Sequence, residues 1–366
     1  MRVGIIGAGN VLWAYLRSLD RLVTKDKALL GPICARRLER WPELINRRPG
    51  IQLVADPIEV LESDADLIVI ITSPESHAEL VRGALEKGKH VVVEKPLAMS
   101  YVEGAELAKL ASKRKLHLIA APFVHLAPTF RAFWSRIRNG AIGHPHMARG
   151  LYGNAGSTWA GWYHEGQVGP LAEVGIYNLK SLTSLLGPVV EVIAAEHTAI
   201  KIRLIGDYQI TNPGHDVSHV ILRHDSGALS NIVSSHAIQR YRRPALEIYG
   251  DQGTANLLGD DWDARGFEIW RNPAGCWEEY EAIEGTWLWT DGLVEAVNAL
   301  YEKREPLTEI THDLHLLEVI DAAQHSAEEG RWIRVKSDFR DLDLGLDEDR
   351  RAMHHLHDHT RPADEQ

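Results

Sequence analysis

The 366-residue sequence predicts an α/β domain with a doubly wound parallel sheet, followed by an α+β domain with a large, mostly antiparallel, open-faced sheet. Short apolar runs alternate with helical patterns up to residue 122, which is typical of the first fold class. Hairpin signals begin only later, and the chain is too long for one ordinary core. We therefore predict domains at 1–122 and 123–337, and an acidic, histidine-rich tail at 338–366.

The apolar runs of the first domain are continuous rather than alternating, as expected of strands that are covered on both faces. Gly88 is expected to end the helix Ala78–Lys87, and Ser100 with Glu103 forms a capping box for the next helix. Strand–helix alternation implies right-handed crossovers. The predicted strands are Val3–Ile6, Leu29–Ala35, Ile51–Val54, Leu67–Ile71, Val91–Val93 and Leu116–Ala120.

Turn sequences predict hairpins in the second domain. Asp225-Ser226-Gly227 joins two strand-like runs, and Asp251-Gln252-Gly253 joins the next two. Helical patterns lie near 125–138, 170–186, 291–303 and 311–329. An antiparallel sheet can leave one face open, which would suit a contact between subunits.

Composition excludes several classes of protein. The net charge is −11 and no basic stripe is visible, so we expect no nucleic-acid partner. Cys34 and Cys276 lie far apart, which indicates a reducing compartment and no structural zinc. The sequence shows neither a secretion signal nor an apolar run long enough to span a membrane. We therefore expect a cytoplasmic protein with no bound metal.

A glycine-rich turn follows the first strand, where Gly7-Ala8-Gly9-Asn10-Val11 leads into a helix. Gly7 permits the tight turn, and Gly9 lets the backbone approach a pyrophosphate at the helix N-terminus. This position predicts a dinucleotide-binding (Rossmann) domain. The alternative is a glycine-rich turn without a ligand.

The end of the second strand bears on the choice of cofactor. Ala35 stands where an NAD site usually carries an acid for the ribose 2′-hydroxyl, and Arg36 and Arg37 follow. Arginine offers a bidentate partner for a 2′-phosphate. NADP(H) is therefore favoured and NAD(H) is possible. Alternatively, the two arginines only begin a solvated helix.

Thr72, Ser73, Pro74 and His77 follow the fourth strand, at the sheet edge where open α/β sheets bind ligands. Ser73 can cap the next helix, and Pro74 suits its first turn. We expect His77 to lie one turn in, near the middle of the cofactor. The alternative is a surface helix histidine.

Glu94, Lys95 and Pro96 follow the fifth strand at the same edge. A lysine at the end of a buried strand is costly unless it is used or paired. Its ammonium can hold a substrate hydroxyl, and Pro96 restricts Lys95 to extended geometry. The alternative is a rim lysine that pairs with Glu94.

Six motifs follow one another between residue 3 and about residue 335, in the order in which a known family carries them. They are Gly7-x-Gly9-Asn10, Thr72-x-Pro74-x-x-His77, Glu94-Lys95-Pro96, Gly140-Ala141-Ile142-Gly143, Gly169-Pro170-Leu171-Ala172-Glu173-Val174-Gly175-Ile176-Tyr177 and His312-Asp313-Leu314-His315-Leu316-Leu317-Glu318. In these motifs the sequence resembles the Gfo/Idh/MocA family, whose namesakes include glucose–fructose oxidoreductase and inositol dehydrogenase. The resemblance implies a sugar or polyol substrate and a homodimer or homotetramer.

The resemblance also implies roles for particular residues. The lysine of the family's Glu-Lys-Pro motif, here Lys95, contacts the reacting hydroxyl. An Asp-x-Gly-x-His motif supplies the acid and base, and here it reads Glu173-x-Gly175-x-Tyr177. Tyrosine in place of histidine resembles the glucose–fructose oxidoreductase and dihydrodiol dehydrogenase branches. Glutamate in place of aspartate departs from the pattern.

Glu173 and Tyr177 are four residues apart on a predicted helix and hence on one face. A free tyrosine, with a pKa near ~10, is a poor base at neutral pH, and a nearby Lys95 ammonium would lower that pKa. We hypothesise that Tyr177 exchanges the proton, Lys95 anchors the oxygen, and Glu173 binds another hydroxyl. The alternative for Tyr177 is a buried helix tyrosine whose hydroxyl is satisfied.

Three further residues are candidates for substrate contact. Trp159 and Trp162 precede the Tyr177 helix, and their aromatic faces suit the C–H surface of a sugar. Packing at a domain or subunit interface is the alternative. His125 follows the sixth strand near the expected crevice, with a surface histidine as its alternative.

The predicted activity is hydride transfer between NADP(H) or NAD(H) and a secondary alcohol or ketone of a sugar, polyol or cyclic alcohol. A redox-neutral enzyme with tightly held cofactor would instead catalyse epimerisation, transfer or glycoside cleavage. A non-catalytic dinucleotide-binding regulator is a third possibility, which needs neither Lys95 nor Tyr177.

Overall fold

The computed structural model describes residues 1–37, 39, 41–158, 162–165, 168–211, 214–242, 244–260, 262–283 and 287–344. Contacts divide the chain into two compact units. The first comprises Met1–Phe123, Leu288–Asp321 and Lys336–Phe339, and the remaining described residues form the second. None of the described helices combines the length and the apolar character needed to cross a membrane.

The strands are β1 Arg2–Ile6, β2 Leu29–Cys34, β3 Leu53–Val54, β4 Leu67–Ile70, β5 His90–Val93, β6 Leu118–Ala120, β7 Pro145–Gly153, β8 Val189–His197, β9 Ile202–Ile205, β10 Tyr208–Thr211, β11 Val217–His224, β12 Leu229–Ser235, β13 Leu246–Gly250, β14 Gly253–Asp260, β15 Asp263–Arg271, β16 Cys276–Glu281 and β17 Ile333–Arg334. The α-helices are α1 Leu12–Thr24, α2 Pro42–Arg47, α3 Pro57–Leu61, α4 His77–Glu86, α5 Tyr101–Arg114, α6 Pro128–Arg138, α7 Trp162–Glu165, α8 Ile176–Leu186, α9 Gly292–Glu302 and α10 Ile310–Glu329.

The first unit is built on a parallel sheet in the order β3-β2-β1-β4-β5-β6. The predicted doubly wound sheet is therefore confirmed. Its central strands are buried along most of their length, which explains their continuous apolar sequences. The core also takes in Leu317 from α10, where Gly104 of α5 leaves room for a close approach.

The second unit contains a sheet in the order β16-β15-β14-β13-β7-β12-β11-β8-β17. Its pairs are antiparallel except for β7 with β12, which run parallel. The mostly antiparallel sheet is thus confirmed, and both predicted hairpins form. A separate two-stranded ribbon pairs β9 with β10.

One face of the nine-stranded sheet carries exposed apolar side chains. Met147, Ile221 and Leu229 belong to neighbouring strands, and each is 44–47% exposed. Such a face suits the homo-oligomer that the sequence analysis expects, and the oligomer stays a prediction.

The contacts group the chain differently from the predicted domains. Contacts group 288–321 with the first unit, whereas the sequence analysis placed all of 123–337 in one domain. This grouping arises because α9 packs against α1, where Ser18 donates a hydrogen bond to Asp291 (2.7 Å). The boundaries at 122 and 337 stay predictions, and most of the predicted tail (345–366) lies outside the described residues.

Helix ends follow the predicted signals. Gly88, after α4, has a φ of 75°, which favours glycine. Ser100 Oγ accepts a hydrogen bond from the Glu103 amide (3.3 Å) at the start of α5. The Glu103 carboxylate accepts from the Met99 amide (3.1 Å), one residue before the capping residue itself. The capping box is therefore present in a slightly shifted form.

A buried histidine secures the turn between β11 and β12. His224 Nδ1 lies 2.8 Å from the Gly187 carbonyl oxygen, and Nε2 lies 2.8 Å from Ser230 Oγ. A neutral imidazole satisfies both partners by donating to the carbonyl and accepting from the hydroxyl. Burial opposes protonation and lowers the pKa of His224 to about 4.

This environment predicts acid sensitivity of the second unit. Below pH ~6.5 His224 is protonated in the unfolded chain but stays neutral in the folded protein. The free energy of unfolding therefore falls as the pH falls toward 4. Between pH 7.5 and 5 this loss is about 2 kcal/mol. We expect His224→Gln to remove that part of the pH dependence in urea unfolding. The same substitution at exposed His146 is the control, and an equal effect of both variants would contradict the assignment.

Candidate active site

The glycine turn after β1 lies where three neighbouring strands of the first unit end. Gly7 has a φ of 115°, and a Cβ there would lie 2.7 Å from the Ile71 carbonyl oxygen. Its amide donates to the Cys34 carbonyl oxygen (3.1 Å). A Cβ on Gly9 would meet nothing within 4 Å, so the space above this residue is open. The turn therefore fits the close backbone approach that a pyrophosphate needs.

Charges of both signs surround the end of β2. Ala35 is buried, whereas Arg36 and Arg37 are exposed. The pKa of the Cys34 thiol is raised to about 11 by burial and by the nearby carboxylates of Asp56 and Glu59, while Arg36 opposes the shift. The two arginines are thus accessible to an anion, although the carboxylates of Asp56 and Glu59 lie near the same strand end.

His77 is fully buried, so it is not a surface histidine. Its Nδ1 lies 2.7 Å from the Pro96 carbonyl oxygen, and its Nε2 lies 3.2 Å from that of Thr72. Burial lowers the pKa of His77 and keeps the ring neutral. A neutral ring carries one N–H, which we assign to the closer Pro96 contact. The ring therefore joins the segments that follow β4 and β5.

The loop before α4 is held differently from the prediction. Ser73 occupies the N-terminal position with extended backbone, but its side chain makes no capping hydrogen bond. Instead Ser76 Oγ donates to Thr72 Oγ1 (2.7 Å) and contacts the Ser73 carbonyl oxygen (2.9 Å). Pro74 lies at the first position of a short 3₁₀ turn, as its fixed φ favours.

Glu94 is buried at the end of β5, and its carboxylate is held by two donors. Tyr15 of α1 donates its hydroxyl (2.8 Å), and the Lys95 amide donates to the other oxygen (3.2 Å). Lys95 itself is half-buried. The carboxylate thus fixes the backbone from which the Lys95 side chain departs. The sequence analysis missed Tyr15, which lies 79 residues from its partner.

The predicted acid–base pair of the second unit spans a helix junction. Glu173 lies in a π-helical turn (Leu171–Gly175), and Tyr177 lies in the first turn of α8. The prediction of a single α-helix over both residues is therefore wrong. Strand β12 passes so closely that a Cβ on Gly175 would lie 2.8 Å from Ser234 Oγ. Such wider turns are often found at functional sites.

Aromatic rings and a second tyrosine surround this turn. Glu173 is 4% exposed, whereas Tyr177 is half-buried, with its ring edge-on to Tyr152 at 5.8 Å. Burial and the negative charge of Glu173 raise the pKa of Tyr163 far above its ordinary value. Tyr163 therefore keeps its proton. The sequence analysis missed Tyr163, although it named the neighbouring Trp162.

The remaining candidates have different outcomes. His125 is buried and not a surface residue, and burial together with Lys180 and Arg131 lowers its pKa well below the ordinary value. Trp159 lies outside the described residues, as does the side chain of Trp162 in α7. Among the described residues, no three His, Cys, Asp or Glu side chains are arranged to hold a metal ion.

The position of His77 predicts an effect on dinucleotide binding. In His77→Ala the buried Pro96 carbonyl oxygen loses its donor, at a cost of roughly 1–3 kcal/mol. We expect dinucleotide to bind at least about tenfold more weakly, measured by nicotinamide fluorescence. His90→Ala is the control, because His90 accepts from the His117 amide (3.0 Å) at the opposite end of β5. An unchanged dissociation constant in His77→Ala would refute the role.

Two family models match the chain. "Oxidoreductase family, NAD-binding Rossmann fold" covers residues 1–121, and "GFO/IDH/MocA C-terminal domain" covers residues 130–256. Together they span more than half of the sequence.

Individual relatives agree with this match. The chain is 26% identical to myo-inositol 2-dehydrogenase of Thermotoga maritima over 69% of this chain and 74% of that protein. It is 24% identical to D-apiose dehydrogenase of Paraburkholderia graminis, over 79% and 78%. The structure of levoglucosan dehydrogenase in complex with NADH has the same fold, with a TM-score of 0.80, 18% identity and coverage of 92% and 99%. The chain belongs to the GFO/IDH/MocA family of NAD-binding oxidoreductases.

Proposed function

We propose that this oxidoreductase transfers a hydride between a nicotinamide dinucleotide and a secondary alcohol or ketone of a sugar, polyol or related cyclic alcohol. The observation that carries the proposal is the shared sheet edge of the first unit. The glycine turn after β1 and the Glu94–Lys95 segment after β5 both follow the carboxyl ends of parallel strands. A glycine turn that suits a pyrophosphate and a lysine that could hold a hydroxyl thus follow the same sheet edge. The inositol and apiose dehydrogenases similar to this chain support the substrate class.

The dinucleotide would be held by residues of the first unit. Gly7 to Val11 would receive the pyrophosphate, and Thr72 to Pro74 would contact its nicotinamide half. Arg36 and Arg37 are exposed and would pair with a 2′-phosphate, so NADP(H) is favoured and NAD(H) is possible. A bound nicotinamide supplies the hydride acceptor or donor.

The protein's own groups handle the substrate oxygen and its proton. Lys95 would hold the reacting oxygen through its ammonium, and the hydroxyl proton would pass to Tyr177 as the carbinol carbon is oxidised. Glu173 would accept a hydrogen bond from a neighbouring hydroxyl. Tyr163 is unsuited to the proton transfer, because burial and Glu173 hold its phenol protonated. Tyr177 is only half-buried, so a substrate hydroxyl can reach its phenol.

Removal of one hydroxyl tests the role of Tyr177. Tyr177→Phe keeps the ring and its edge contact with Tyr152 but removes the proton carrier. We expect kcat to fall by about 10²-fold or more, the usual contribution of general acid–base catalysis, with a much smaller change in KM. Tyr249→Phe in β13 is the matched control. Unchanged turnover in Tyr177→Phe would remove this residue from the mechanism.

Cofactor choice is tested at the end of β2. In the proposed site the guanidinium groups contact the 2′-phosphate, which NADPH carries and NADH lacks. The double variant Arg36→Ala/Arg37→Ala should therefore weaken NADPH binding by about tenfold or more and leave NADH binding nearly unchanged. Arg82→Ala on α4 controls for the loss of exposed positive charge. Equal weakening of both dinucleotides, or of neither, would contradict the assignment of the arginines.

A further inference from the structure

The second unit contains a cavity of about 440 Å³ that the proposed roles do not use. It lies at one end of the nine-stranded sheet, beside Glu196 near the end of β8, Asp216 just before β11 and His236 just after β12. Gln324 and Glu328 of α10 form another part of its lining. Its volume suits a monosaccharide-sized group.

This cavity adjoins the turn that carries Glu173. Tyr163 and Gly169 both line it. The Glu173 amide donates to the Gly169 carbonyl oxygen (3.1 Å), and the Glu173 charge acts on the Tyr163 hydroxyl. A ligand whose reacting carbon lies at the Glu173 turn would therefore extend its far end into the cavity.

Among the described residues, the buried arginine beside the cavity is already paired with a carboxylate. Arg203 of β9 pairs with Asp216 (2.7 Å), and both side chains are almost completely buried. Arg203 also donates to the carbonyl oxygens of Ala155 (3.1 Å) and His236 (2.9 Å). Both terminal nitrogens of its guanidinium thus hold the wall together, and the Asp216 carboxylate offsets its positive charge.

Two carboxylates on the lining are not neutralised in this way. Glu196 is half-buried and Glu328 is exposed, and neither forms an ion pair with any cation of the described residues. Glu328 belongs to the last turn of α10, where the helix dipole adds negative potential. His215 is the exposed imidazole of the lining.

Aromatic and imidazole rings complete the lining. The rings of Tyr163 and His236 lie 4.5 Å apart between centroids, and the His164 ring stands edge-on to Tyr163. Phenol rings attract cations and pack against C–H faces. The negative potential and the ring faces both attract an ammonium group, and the negative potential repels a carboxylate or phosphate.

We propose that this cavity receives the part of the substrate remote from the reacting carbinol and selects a polyhydroxy ligand bearing an ammonium group, such as an amino sugar or aminocyclitol. Neutral sugars rank second, and carboxylated or phosphorylated sugars rank last. This preference deepens the proposed function and rests on it only in that the ligand is also the molecule oxidised.

The test compares three sugars of one size that differ in charge. Binding of glucosamine, glucose and glucuronate to the full chain at pH 7 is measured by saturation-transfer NMR titration. We expect the affinity to fall in that order. In Glu196→Gln/Glu328→Gln the ratio of glucosamine to glucuronate affinity should drop by roughly tenfold, because two attractive charges are lost. Glu279→Gln/Glu281→Gln, on β16 at the far edge of the sheet, removes the same number of charges and should leave the ratio intact.

The outcomes separate the cavity from the reaction. Glucuronate binding as tightly as glucosamine, no binding of any sugar, or an unchanged preference in the double variant would each overturn the proposal. Formation of reduced nicotinamide is followed separately with NADP⁺ and NAD⁺. If glucosamine binds with the expected preference and no sugar or polyol is oxidised, the proposed function fails while the cavity assignment stands.

Discussion

The site in the first unit depends on the parallel pairing of β1 with β2 and β4, and of β4 with β5. Parallel pairing brings the carboxyl ends of these strands to one edge, so segments far apart in sequence emerge side by side. Gly7 can turn there only because it lacks a Cβ, since the Ile71 carbonyl oxygen occupies that space. Every group that we assign to the dinucleotide or to the reacting oxygen in this unit follows one of these strand ends.

Buried polar contacts give this edge its precision. Apolar packing fixes the strands, but the loops after them need directional partners. His77 joins the segment after β4 to the segment after β5, and Glu94 receives the hydroxyl of Tyr15 from α1. In the second unit the Arg203–Asp216 pair also holds loop segments in place. It fixes the carbonyl oxygen of His236 and the start of β11 at the cavity wall.

The strands of the first unit and the glycine turn were predictable because both leave local signals. Continuous apolar runs mark strands that are covered on both faces, and the paired glycines mark a turn. The burial of His77 was not predictable, because it depends on a carbonyl group 19 residues away. The π-helical turn at Glu173 packs against β12, and the cavity lies where the register of three strands brings their ends together. Local patterns carry no information about such long-range packing.

The chain belongs to a family of NAD-binding oxidoreductases, and we propose that Lys95 and the Glu173–Tyr177 segment handle the alcohol and its proton. The most direct test mixes the purified chain with NADP⁺ or NAD⁺ and a panel of neutral and amino-bearing sugars and polyols, and follows absorbance of the reduced nicotinamide. The account predicts net accumulation of reduced cofactor in proportion to the ketone formed. Dinucleotide binding without any reduced cofactor or ketone across the whole panel would contradict it.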